Sequence, residues 1–306
     1  MQSHQSNLRD LLCSAGGNRF HVPLYQREYV WETKGENEQA AEFWTDVYVR
    51  CFEERTNHFL GVLVFQQRVM GNFGVAWDVV DGQQRMTSAA LLLIAIRDSL
   101  CEAKVPLGPM LELFASQHQT LVLANGPNRD GTVFTSLADG VADKLPPPIK
   151  QQSRILKAYQ YFRTMLTRHF GEDWSMVTEF TEVVLALPTT LCVFLEVNDP
   201  ADVIFETLNG RGRAVDPIDL VKNLILGIGN DDQLLRQDAR NLWEYLINEF
   251  DEQDLSECLR ALGERDGVRT VRRSAYSEIK ADIMEAEGKK ELGLWLAKAS
   301  QAVKIY

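Results

Sequence analysis

The segment WDVVDGQQRMTSAALLLIAIRDSL, Trp77 to Leu100, constrains this chain more than any other stretch. An apolar strand pattern runs into Gly82, and a helical pattern starts at once, with no linker between them. Such a junction aims free first-turn N–H groups and the positive end of the helix dipole outward at Gly82 to Gln84, while Arg85 adds a fork of donors suited to phosphate oxygens. Gly82 has no Cβ, so an anion can approach the backbone closely. Within the helix Met86, Ala89, Ala90, Leu93 and Ile96 recur at core spacing, and Gln84, Thr87 and Ser88 share another face. The expectation is a polar, outward-facing cluster held in place by a buried anchor. An ordinary polar first turn reads the same way, so the pattern alone leaves both open.

Charge narrows the partners. The chain has 306 residues, 45% of them hydrophobic and 25% charged, and a formal net charge of −11. That balance fits a globular protein with a substantial core and argues against a general nucleic-acid coat, so any DNA contact must be local. The best local patch is ERDGVRTVRR, with Arg265, Arg269, Arg272 and Arg273, and such runs are more often simply solvated surface loops. The apolar run around Ala89 to Ile96 is too short to cross a bilayer and the start is polar, so the expectation is a cytoplasmic protein with no membrane partner. Five scattered cysteines show no metal-ligand or disulfide spacing.

The first third reads as mixed α/β: Phe20 to Tyr25 extended, Glu38 to Glu53 an amphipathic helix, and His58 to Gln66 with Val75 to Asp81 a hairpin that feeds the helix at Gln83. From Pro109 the pattern is mainly helical, with a long periodic segment at Lys150 to Phe170 and another helix at Val177 to Leu185. The punctuation between Gly126 and Pro148 predicts a lobe boundary there, dividing the chain into an α/β lobe over 1–125 and a mainly helical lobe over 126–306. Leu191 to Val197 reads as a lone buried strand able to return to the N-terminal sheet. The fold class is α+β.

Two further clusters carry chemistry. In NDPADVIFETLNGRGRAVDPIDLVKN, Asn209 and Gly210 end one helix, Arg211 and Arg213 alternate with glycines in a phosphate-suited loop, and Asp216-Pro217 opens another helix. That helix sets Asp219, Lys222 and Asn223 on one stripe and Leu220, Val221, Leu224 and Ile225 on the other. An i,i+3 surface pair explains Asp219 and Lys222 as well. In FHVPLYQREYVW the aromatics alternate with Gln26, Arg27 and Glu28, which suits either a cavity edged by hydrogen-bonding groups or plain core.

Taken in order, VPLYQREYVW, HFLGVLVFQ, DGQQRMTS, RILKAYQYF and FETLNGRGRAVDPIDLVKN resemble the DGQQR-type domain of GmrSD-like and SspE-like modification-dependent restriction proteins, of ParB/sulfiredoxin-like fold. Met86 and Ser88 stand where the family favours leucine and threonine. The resemblance implies a nucleotide-hydrolysing sensor module in bacterial defence against phage DNA. It also implies a C-terminal HNH-type nuclease domain or a separate nuclease subunit as partner, since the five histidines of this chain are scattered singly.

The reading that joins residues and resemblance is a nucleoside triphosphatase, GTP being one candidate substrate, with Asp81, Gln83, Gln84 and Arg85 as catalytic candidates. Gly82, Thr87, Ser88, Asn209, Arg211, Arg213, Asp219, Lys222 and Asn223 would bind nucleotide and phosphate. A divalent cation, Mg2+ by preference, would neutralise the phosphates, with Asp81 the one candidate ligand. GxxxxGK[ST] is absent, so the chain is not a P-loop enzyme. Pro23, Tyr25, Gln26 and Arg27 are expected to read a DNA modification such as phosphorothioate, with Arg269, Arg272 and Arg273 on the DNA backbone. A non-catalytic reader of modified DNA is the alternative, and a nuclease using Asp78, Asp81 and Asp219 is a third reading. A homo-oligomer is left open.

Overall fold

Alternating side chains in β3 (His58–Val69) and β4 (Val75–Asp81) give the sheet two unlike faces. Leu63, Phe65 and Val79 enter the main core, whereas Val62, Val64 and Val80 join a small second cluster with Val193 and Leu195. The computed structural model describes residues 2–13, 19–23, 26, 28–34, 38–69, 75–116, 120–125, 129–196, 199, 221, 225, 233–250, 254, 255, 258, 279, 283 and 289–303.

The hairpin expected from the sequence is present, antiparallel, with Gln67 opposite Trp77. β6 (Pro188–Leu195) does return to the N-terminal sheet, pairing parallel with β3 and antiparallel with β1 (Gln2–Asn7). β2 (Arg19–Val22) runs parallel to β4 and to β5 (Leu121–Leu123), so the mixed sheet has the order β1-β6-β3-β4-β2-β5. The architecture is α+β. Helix α1 (Leu8–Leu12) follows β1, and α2 (Gln39–Thr45) runs on as a π-helical stretch over Asp46–Glu53.

Helix α3 (Gln83–Glu102) is apolar all round from Leu91 to Ile96 and is buried on every side there, packed against α7 (Arg154–Phe170) and α8 (Trp174–Ala186). Each of its fully buried Leu and Ile side chains contributes about 1.5–3 kcal/mol of transfer free energy. Ser153 and Asp173 cap the next two helices, accepting from the N–H groups of Leu156 and Met176. Trp44, Tyr48, Phe52, Phe162, Phe170 and Phe180 interlock beneath them.

Helices α4 (Pro109–Ser116), α5 (Asp130–Ala138) and α6 (Pro147–Gln152) complete this part. The chain separates into two compact units, Met1–Phe205 and Glu206–Tyr306, and the expected boundary near 125 falls inside the first. The reason is local. A Cβ on Gly131 would lie 2.2 Å from the Leu123 carbonyl oxygen, so α5 sits directly on β5. Buried Arg97 of α3 then donates to the carbonyls of Leu137 and Ala138 and closes the end of α5. The Pro/Gly punctuation thus marks turns between packed helices rather than a division of the fold.

In the second unit α9 (Gln233–Glu249) packs on α10 (Lys289–Val303), burying Leu235, Leu242, Trp243 and Leu246 on one and Leu296 and Ala299 on the other. All five cysteines are free thiols, and no described helix is long and apolar enough to cross a membrane.

Candidate functional site

The strand-to-helix junction is shaped by two irregularities in the sheet. Between β3 and β4 the register jumps, with Val64 opposite Asp81 and Phe65 opposite Val79, which leaves Val80 as the extra residue of a bulge. Its carbonyl is taken by the Gln26 side-chain amide at 2.8 Å. Gly82 then turns the chain at φ +86°, and the helical ladder begins with the Met86 N–H donating to the Gly82 carbonyl at 3.1 Å. The N–H groups of Gln83, Gln84 and Arg85 precede that ladder, and the N-cap, Gly82, has no side chain to cap them.

Gly82 is indispensable for a reason other than the one the sequence suggested. A Cβ there would meet Leu63 Cδ2 at 2.2 Å and the Val62 carbonyl oxygen at 3.2 Å, so β3, not an approaching phosphate, occupies the space over the glycine. The second irregularity lies in β3 itself, where the pairing with β6 shifts between Phe59 and Val62 and Gly61 takes φ +104°. A Cβ on Gly61 would come within 2.9 Å of Arg85 Nη1. The guanidinium therefore lies against the bare backbone of Gly61 and donates from Nη1 to the Val62 carbonyl at 2.6 Å. Its Nε and Nη2 make no hydrogen bond among the described residues, and half-buried Asp81 forms no ion pair there either.

The expected outward polar face of α3 is corrected by the structure. Gln84 is 6% exposed, Thr87 2% and Ser88 0%. The Gln84 amide is spent on the backbone of a crossing segment: Nε2 donates to the Glu28 carbonyl at 2.9 Å, and Oε1 accepts from the Val30 N–H at 3.0 Å. Ser88 Oγ shares a 2.8 Å hydrogen bond with the Tyr29 hydroxyl. The Tyr29 N–H between them donates to Asp130 Oδ2 at 2.6 Å. Residues 28–30 thus form a strap clamped by side chains from α3 and α5 instead of by a strand partner. Burial raises the Tyr29 phenol well above its ordinary value. Burial also pushes the Asp130 carboxyl up to about 6, against the pull of the Tyr29 N–H, while Glu28 adds to the rise and Arg154 opposes it.

Asp81, Gly82, Gln83, Gln84 and Arg85 are therefore together by geometry, but they divide. Asp81 and Arg85 keep groups unbonded among the described residues, Gln83 is 7% exposed in the first turn, and Gln84 and Ser88 serve the strap. Of the expected sensing residues, Pro23 is buried and Gln26 is tied to the bulge beside Asp81, whereas Tyr25 and Arg27 lie outside the described residues. So do Asn209, Arg211, Arg213, Asp219, Lys222 and Asn223, although Val221 and Ile225 of the predicted apolar stripe are buried. Arg269, Arg272 and Arg273 also lie outside them. Asp78 is engaged with Arg68 at 3.2 Å and His21 at 3.0 Å. No group of three or more His, Cys, Asp or Glu among the described residues could hold a metal ion.

Sequence reasoning passed over the strap, Asp130 and Gly61. Gly61 had a readable signal, an isolated glycine inside a strand pattern, which marks a bulge or a close approach. The family model for the N-terminal domain of the GmrSD restriction endonuclease matches residues 8–226. No curated protein matches the chain.

Proposed function

The chain belongs to the family of GmrSD restriction endonuclease N-terminal domains, components of restriction systems, and from that premise we propose that the start of α3 binds and hydrolyses a nucleoside triphosphate. The observation that carries this reading is the first turn at Gln83, set between Asp81, which forms no ion pair among the described residues, and Arg85, whose Nε and Nη2 make no hydrogen bond among them. First-turn N–H groups and a guanidinium fork suit phosphate oxygens and the charge that builds on them during transfer. Water adds its oxygen to the terminal phosphorus, the bridging oxygen leaves with the diphosphate, and the water proton passes to solvent. Mg2+ commonly takes one or two carboxylates together with substrate phosphates and waters, a donor set that Asp81 fits.

In this reading Gln84 is a positioning residue, and Arg85 is the side chain that touches the nucleotide. Arg85→Ala should remove a charge-assisted contact to the nucleotide worth about 1.5–3 kcal/mol, a fall of roughly ten- to a hundredfold in turnover, and it also removes the bond to the Val62 carbonyl, so folding is checked alongside. Phosphate release by the purified chain measures it. A folded Arg85→Ala protein with unchanged nucleotide affinity and turnover overturns the assignment.

Modified DNA is the proposed stimulus and a nuclease domain or subunit the proposed recipient of the signal. Gln26 supports the coupling, because it follows Tyr25 in the sequence and donates to the Val80 carbonyl, next to Asp81. Modified DNA should raise turnover, and Tyr25→Ala should abolish the rise. A wild-type rate indifferent to DNA at low salt, where phosphate contacts are strongest, removes the sensor half of the proposal.

A further inference from the structure

The strap has a second side. Its continuation through Trp31 to Lys34 forms, with α5, α6 and α7, the wall of a cleft of about 450 Å³ lined by Trp31, Glu32, Lys34, Asp130, Arg154 and Lys157. That volume is in the range of small-molecule sites. Asp130 is 4% exposed and faces the cleft with a half-used carboxylate: Oδ2 accepts from the Tyr29 N–H, and Oδ1 has no hydrogen bond among the described residues. Oδ1 opens onto the cleft rather than into the core, so it is available to a donor from a ligand. Trp31 supplies an aromatic wall, held against Phe43 with ring centroids 6.3 Å apart. At the cleft edge Arg154 pairs with Glu32 at 3.3 Å, while Lys34 and Lys157 are exposed and form no ion pair among the described residues.

An acceptor within, a flat aromatic wall and cations at the edge select a planar, donor-bearing group that carries an anion on its outer side. We propose that this cleft binds guanine, with Trp31 stacking on the ring, Asp130 accepting from the N1–H and N2–H groups, and Lys34, Arg154 and Lys157 facing the attached phosphate. Guanine is the common base whose Watson–Crick edge sets two donors side by side. Adenine and cytosine place a ring acceptor beside their amine, which a carboxylate repels, and uracil flanks its one donor with two carbonyls. The site is distinct in its residues from the phosphate contacts proposed at α3. It is joined to them mechanically, since Gln84 and Asp130 hold the adjacent amides of Val30 and Tyr29.

Calorimetric titration of the chain with guanosine, adenosine and xanthosine monophosphates tests the inference. These probes have no phosphoanhydride, so the result is independent of whether the chain hydrolyses triphosphates. The guanine nucleotide should bind at least about tenfold more tightly than the adenine one, and Trp31→Ala should weaken it by about tenfold. In Asp130→Asn the side-chain oxygen can still accept from the Tyr29 N–H while its amide presents donors to the cleft. That variant should lose guanine binding by about tenfold or more and gain xanthine binding, because xanthine offers a carbonyl where guanine has its amine.

If that variant fails to fold, the wild-type affinity for guanosine against pH serves instead. It should fall as pH drops through about 6, where the Asp130 carboxyl, raised by burial and by Glu28 against the pull of the Tyr29 N–H and Arg154, protonates. A single-stranded oligonucleotide with one guanine, set against the same strand with adenine, separates the sources. Binding of the monophosphate alone assigns the cleft to a free nucleotide, and binding of the oligonucleotide alone assigns it to a base in DNA. Base-indifferent binding, no binding of either probe, or guanine affinity unchanged in folded Asp130→Asn overturns the inference.

Discussion

Replacing Gln84 by alanine tests whether this residue holds the strap or touches a nucleotide. The side chain is 6% exposed and makes two backbone hydrogen bonds, at 2.9 and 3.0 Å, to the Glu28 carbonyl and the Val30 N–H. Deleting the amide leaves both groups without that partner, at about 1–3 kcal/mol each when desolvated. Glu28 and Val30 are only half-buried, so water recovers part of the loss, and about 2–4 kcal/mol is the expected sum. Urea unfolding reads the global part. Amide exchange at Tyr29 and Val30 reads the local part, and a loss of about 3 kcal/mol should accelerate it by roughly a hundredfold. Gln84→Glu sharpens the test, since the introduced carboxylate can accept from Val30 but cannot donate to the Glu28 carbonyl. Its protonated form is the one the fold prefers, so its folded pKa is raised and this variant should recover stability as pH falls. A change below about 0.5 kcal/mol for Gln84→Ala, with turnover lost, would refute the clamp and return Gln84 to the nucleotide.

Gly82→Ala should cost about 2–5 kcal/mol, combining a left-handed backbone with a Cβ 2.2 Å from Leu63 Cδ2. Thermal unfolding measures this, and Leu63→Ala in the same chain should recover part of the loss; strictly additive losses would place the strain elsewhere. Asp130 makes a prediction about stability and pH. Its carboxyl is raised from 3.8 to about 6 in the folded chain, so its contribution is fully present below the unfolded value and is lost as pH rises through about 6. Asp130→Asn, which keeps an acceptor for the Tyr29 N–H, should therefore gain on the wild type between about pH 4 and 7, by up to about 3 kcal/mol. Parallel stability curves for the two proteins would sink that account.

Periodicity made the hairpin, the long helices and the return of β6 readable, because each is set by which side chains must leave water. It failed where a single long-range partner decides the outcome. On a helical wheel Gln84 and Ser88 look like one turn of an exposed face, yet their partners lie at Val30 and Tyr29, 54 and 59 residues away in the chain. The warning was present in the same helix, since Leu91 to Ile96 are apolar on every side and a helix buried all round has no solvent face to which a polar turn belongs. Gly82 was read correctly as a place for close approach, but a glycine gives the same signal whether a phosphate or Leu63 is the neighbour. The predicted boundary near 125 failed because Gly131 and Arg97 act through contacts that turn residues do not encode.

The division of the motif has a mechanical consequence for the site. Residues four apart lie on one helix face, so Gln84 and Ser88 fix the rotation of α3 from one side, through the strap. Arg85, one residue on, falls about 100° around the helix and is fixed from another side, by the Val62 carbonyl and the bare backbone of Gly61. Two attachments on different faces leave the first turn little freedom to rotate or slide. Donors held in this way need no rearrangement when charge develops on a bound phosphate, which is the condition under which electrostatic stabilisation is most effective. On the proposed reading, buried Gln84 and Ser88 would serve the site by fixing the helix start that presents Arg85, without touching the nucleotide themselves.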